Sequence, residues 1–142
     1  MSGAGQIYAA PVPQSEQHWP ADLFILDPRG AVARERLTLL DITGPPRALV
    51  YGPYITLPPG IWCAQVLFSV DEPASQRRYR VEWGGLSDFV THTFIPKQPG
   101  VFRAYLEHSW QTDTVVEARI ILTESALEGG LEPLGVVVSA LG

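Results

Sequence analysis

Apolar and polar side chains alternate strictly along several stretches of this chain, and proline or glycine interrupts each stretch within a few residues. Trp62, Ala64, Val66, Phe68 and Val70 alternate with Cys63, Gln65 and Ser69. Tyr79, Val81 and Trp83 alternate with Arg80 and Glu82. Phe102, Ala104, Leu106, His108 and Trp110 alternate with Arg103, Tyr105, Glu107 and Ser109, and Val116, Ala118, Ile120 and Leu122 with Glu117, Arg119 and Thr123. A period of two puts each set on its own side of an extended backbone, so one face is buried and the other is not. Pro58-Pro59-Gly60 is a turn that no helix crosses, and Gly60, just before a buried strand, is predicted to take a positive φ. Thirteen prolines and thirteen glycines suit a turn-rich fold, and they form neither a repeat nor a low-complexity tract.

Shorter strand patterns fill the gaps at 23–26, 48–51, 54–57, 89–95 and 136–138, and residues 31–40 fit a strand better than a helix. The total is eight or nine strands with no helical pattern of 10–15 residues between them, which argues against βαβ units. The predicted fold is all-β: a two-sheet antiparallel sandwich, jelly-roll-like. At 142 residues the chain is one domain, with residues 1–20 as an extended arm and 21–142 as the sandwich; residues 6–10 are a candidate edge strand. Residues 101–110 and 114–123 read as a hairpin around Gln111-Thr112-Asp113. One register puts Tyr105 opposite Arg119 but Glu107 opposite Glu117. The other pairs Glu107 with Arg119 and strains Thr114.

Charge and special residues remove several function classes. The net charge is −5, and the one basic cluster, Arg77-Arg78 with Arg80, is followed by Glu82. Neither a nucleic-acid footprint nor attraction to an anionic membrane is expected. No apolar run reaches the length of a membrane span, and the N-terminus lacks the pattern of a secretory signal. A single cysteine, Cys63, makes no internal disulfide, so a cytoplasmic location is expected. Without a neighbouring His or Lys in sequence, Cys63 reads as an inert, buried thiol. His92-Thr93-Phe94 departs from the His-x-His of a metal cupin; His92 and His108 read as structural. No nucleophile elbow, phosphate loop or zinc spacing occurs. Neither an enzyme nor a cofactor is expected, and a calcium ion at the turn carboxylates Asp27 or Asp71-Glu72 is an open alternative.

The aromatic residues carry the remaining signal. Trp62, Trp83 and Trp110 lie on the apolar parity of their strands and read as core, although Trp110 ends its strand beside a polar loop. Tyr105 lies on the polar parity between Arg103 and Glu107. A flat ring flanked by a donor and an acceptor suits the apolar face and the hydroxyls of a sugar. Tyr105, Arg103, Glu107 and Trp110 are therefore the candidate ligand-binding residues.

The run Tyr51-Gly52-Pro53-Tyr54-Ile55-Thr56-Leu57-Pro58-Pro59-Gly60-Ile61-Trp62 resembles the opening of accessory β-sandwich domains of bacterial polysaccharide-related proteins, similar in kind to carbohydrate-binding modules. Tyr79-Arg80-Val81 and Gly100-Val101-Phe102 continue the likeness, which covers about residues 45–123. The resemblance implies a jelly-roll and a non-catalytic sugar-binding or scaffolding role, and it assigns no binding residues. The expected partner is a glycan. The alternative is a protein-interaction module that uses a sheet edge or the N-terminal arm for strand addition.

Overall fold

Burying one side of every alternating strand at once requires two sheets face to face, and the computed structural model, which describes residues 16–28 and 39–141, has that form. The described strands are β1 (Glu16–Trp19), β2 (Ile25–Leu26), β3 (Leu40–Asp41), β4 (Arg47–Tyr51), β5 (Pro53–Leu57), β6 (Gly60–Val70), β7 (Tyr79–Gly84), β8 (Phe89–Phe94), β9 (Gly100–Trp110), β10 (Thr114–Leu122) and β11 (Gly130–Ala140). Eight of them, β4 to β11, have five residues or more, in line with the eight or nine predicted; the short β1, β2 and β3 add to the sheet margins. The only helical pieces described are single 3-10 turns at Ala21–Leu23 and Ala74–Gln76.

All pairings are antiparallel. A five-stranded sheet runs β1–β11–β6–β9, with β3 also on β11. A six-stranded sheet runs β2–β4–β10–β7–β8, with β5 also on β10. Strands β4 and β5 share one side of β10, at Ile120–Leu122 and Thr114–Glu117 respectively. Gly52 and Pro53 break that side in two, and the Gly52 carbonyl accepts from the Ala118 amide at 2.8 Å. A proline is tolerated there because β5 has no second neighbour that would need its missing N–H.

The predicted hairpin at 101–123 does not form. β9 pairs with β6 from end to end, and β10 pairs with β7, so residues 111–113 carry the chain from one sheet to the other. Both arrangements bury the same apolar parity. A hairpin would set the two apolar rows side by side, whereas the crossover sets them facing each other through the core. The conflict between turn chemistry and like charges then disappears: Glu107 lies opposite Cys63, Glu117 opposite Gly84 and Arg119 opposite Glu82.

The arm predicted for residues 1–20 is described only from Glu16. Residues 16–19 pair with β11, and Trp19 is buried in the core, so the sandwich begins by β1 rather than at residue 21. The candidate strand at 6–10 and nearly all of the ambiguous segment 31–40 lie outside the described residues. Between the sheets, Trp83, Tyr79, Phe68, Leu49, Leu122 and Val138 are among the fully buried side chains. The Tyr79 hydroxyl donates to the Ala74 carbonyl at 2.6 Å, so this core tyrosine leaves no polar atom unmet.

Gly60 has φ +144°, as its place before β6 predicts. Gly84 is more constrained. With φ +142°, a Cβ there would lie 2.7 Å from the Asp88 carbonyl oxygen and 2.8 Å from Phe89 Cα. Only glycine lets β7 turn into β8 this closely.

Candidate functional site

Strand β9 is the edge of the five-stranded sheet, and its two parities separate cleanly. Phe102, Ala104, Leu106, His108 and Trp110 point inward, and Arg103, Tyr105 and Glu107 form an exposed outward row. Tyr105 is 54% exposed. Its hydroxyl donates to Glu107 Oε2 at 3.1 Å. Its pKa is pushed up to about 12, foremost by the neighbouring Cys63, then by desolvation and by Glu107. The hydroxyl thus meets Glu107 along the row while the ring faces solvent. Cys63 lies opposite Glu107 on β6 and is buried although it has the outward parity. It belongs to this face and not to the core cluster.

Arg103, Tyr105 and Glu107 are therefore brought together, but Trp110 does not join them. It has the inward parity and is 8% exposed. Its Nε1–H donates to the Pro58 carbonyl at 2.8 Å, and that carbonyl also receives the Trp62 indole at 2.9 Å. The ring meets Trp83 edge-on at 6.0 Å. The polar loop suggested an accessible ring, yet the turn between β5 and β6 supplies the acceptor that allows the indole to be buried.

A cleft that the sequence did not reveal adjoins the row. β8 and β9 are the edge strands of their respective sheets, and residues 95–99 link them along one side of the sandwich. The sheets part there over an open cleft of about 270 Å³. Its floor is aromatic: Phe68 lies 5.7 Å from Phe94 and 6.0 Å from Phe102 between ring centres. Its rim carries His92, Arg103 and Tyr105. His92 has the inward parity of β8, opposite Val81, but at the open side it reaches solvent and stacks on Phe94 at 5.7 Å. His92 and Phe94 share one strand face, which was the available signal; it gains meaning only once β8 is known to be an edge. His108, read as structural, is 3.0 Å from Asp88 and edge-on to Trp110.

The outward face of the six-stranded sheet holds a charge network instead. Glu82 and Glu117 are each only 3% exposed. Arg119 lies between them, with Nε 2.7 Å from Glu82 and one terminal nitrogen 3.8 Å from Glu117. The shorter contact is a close ion pair without an aligned N–H···O bond, since the Arg119 Nε–H makes no hydrogen bond. Arg80 holds the other Glu82 oxygen at 2.7 Å, and the Arg119 guanidinium lies 4.6 Å above the Phe89 ring. Desolvation first, and then Glu117, raises the Tyr54 pKa. This face satisfies its own charges, whereas the β9 row does not.

Among the described residues no group of three or more His, Cys, Asp or Glu could hold a metal ion. No helix there is long and apolar enough to cross a membrane. No protein-family model matches the chain, and no curated protein does. Solved structures do. The chain is similar to TmCBM61, a structure in complex with β-1,4-galactotriose, with a TM-score of 0.51 and 5% identity over 90% of this chain and 83% of that one. The likeness is one of fold. It bears out the predicted two-sheet sandwich. Weaker similarity extends to a xylan-binding domain from CBM 22 (TM-score 0.41, 15% identity, covering 89% of this chain and 96% of that one). A family 22 module of Clostridium thermocellum Xyn10B gives a TM-score of 0.40 and 15% identity, covering 89% and 92%.

Proposed function

We propose that this domain is a non-catalytic glycan-binding module whose contact surface is the outward row of β9, Arg103, Tyr105 and Glu107, with the β8–β9 cleft beside it. The observation that carries this reading is Tyr105: an exposed ring in a charged row, fixed by its own hydroxyl. A fixed ring loses little freedom when a sugar stacks on it, and the flanking charges supply donors and acceptors for hydroxyls. The galactotriose complex of TmCBM61 supports a sugar as the ligand of a sandwich of this fold. At so shallow a site, affinities of roughly 10 μM to 1 mM are expected.

Screening on a glycan array, followed by calorimetric titration, tests the reading. Tyr105→Ala is expected to weaken any hit by at least about tenfold, with stability within about 1 kcal/mol of wild type, as for other surface positions. No hit at millimolar sugar would turn the preference to strand addition by a protein partner. That second reading has its own support: Thr91, His92 and Thr93 are exposed on the edge strand β8, and β1 itself joins the sheet as an added strand.

A further inference from the structure

Six arginines lie among the described residues. Arg47 pairs with Asp27, Arg77 and Arg78 with Glu124, Arg80 with Glu82, and Arg119 with Glu82 and Glu117. Arg103 alone has no ion pair or hydrogen bond to a described residue, in a chain of net charge −5. It stands at the rim of the aromatic-floored cleft, two residues from Tyr105 on the same face of β9. The row is also polarised. Glu107, on the far side of Tyr105, already accepts the Tyr105 hydroxyl with one oxygen.

We infer that the cleft takes an acidic saccharide, a chain containing uronic acid residues, and that Arg103 reads its carboxylate. This rests on the glycan-binding reading above and adds the ligand class. A sugar ring over Tyr105 would direct its carboxylate toward Arg103 and the cleft, and its hydroxyls toward the free acceptor oxygen of Glu107. The reverse orientation sets carboxylate against carboxylate. A guanidinium presents two parallel N–H groups that match the two oxygens of a carboxylate, and no described residue competes for them here. His92 stands on the opposite lip of the cleft, where an imidazole donates to the same anion or to a ring hydroxyl.

The test uses hexamers of galacturonic and of glucuronic acid, each beside its carboxyl-reduced neutral counterpart, titrated into wild-type, Arg103→Gln and Tyr105→Ala protein at fixed ionic strength. For at least one sugar, the acidic form is expected to bind wild type about tenfold or more tightly than the neutral form, roughly the effect of one charge-assisted bidentate contact. Arg103→Gln should bring the two forms within about twofold by weakening the acidic form far more than the neutral one, while Tyr105→Ala weakens both. Equal binding of acidic and neutral forms, lost in Tyr105→Ala, would overturn the acidic ligand and leave the glycan-binding surface standing. An acid preference that survives Arg103→Gln would also overturn the assignment. Binding of neither form, with no hit on the array, would remove both readings.

Discussion

Trp83→Ala is expected to cost about 3–5 kcal/mol of folding stability, the usual range for truncating a large aromatic in a packed core. Trp83 is 0% exposed and sits where the two sheets and the N-terminal strand meet. Its ring lies 5.9 Å from Trp19 on β1 and 6.0 Å from Trp110 on β9, and its Nε1–H donates to the Trp62 carbonyl at 3.2 Å. Truncation leaves a cavity between three strands and removes a hydrogen bond to a fourth. In a domain with a total stability of about 5–15 kcal/mol, much of the margin disappears. Urea unfolding followed by far-ultraviolet circular dichroism measures the loss. An unchanged midpoint would place the ring outside the core. The milder Trp83→Phe, which keeps most of the volume, should still unfold earlier than wild type if the alanine variant does not fold.

Arg119→Met is the second large effect, expected to cost on the order of 3 kcal/mol, within the range for removing one partner of a buried ion pair. The arginine side chain is 21% exposed, but the Glu82 and Glu117 side chains are 5% and 4% exposed. Without Arg119, Glu117 loses its only ion-pair partner among the described residues, and Glu82 retains Arg80 alone. The Phe89 ring also loses the cation above it. Arg103→Met is the matched control. It removes the same charge from an exposed position without an ion pair and should change stability by no more than about 0.5 kcal/mol. Denaturant midpoints for both variants give the comparison, and equal costs would contradict the distinction between a closed network and an open binding row.

The long strands were legible because alternation survives any arrangement of neighbours. β9 and β10 were located to within a residue or so, and Trp62 and Trp83 were read as core from parity alone. What alternation does not encode is which strand lies beside which. A short polar loop such as 111–113 serves a hairpin or a crossover between sheets equally well, so the 101–123 pairing was misread. β11 was recognised only at 136–138, because Pro133 and Gly135 look like strand breakers. A register shift between those two residues absorbs them and lets the strand start at Gly130. The burial of Glu82 and Glu117 was hidden for a related reason. Polar parity reads as solvent, and only the lateral neighbours Arg119, Arg80 and Phe89 make the outer face of that sheet a closed surface.

For the candidate site, parity placed Arg103, Tyr105 and Glu107 on one face, which the structure retains. Parity could not supply the cleft, because the cleft exists only where two sheet edges run along one side. His92 and Phe94 gained their place from topology and Trp110 lost its place to packing.

Where a sugar sits on this surface is most directly read from amide spectra of the labelled protein titrated with an array hit. Binding at the β9 row should move resonances at residues 103–107 and at 92–94 across the cleft, and leave 80–82 and 119–121 on the other sheet's outer face where they were. Shifts centred on the Arg119 network, with 103–107 unmoved, would contradict the proposed site.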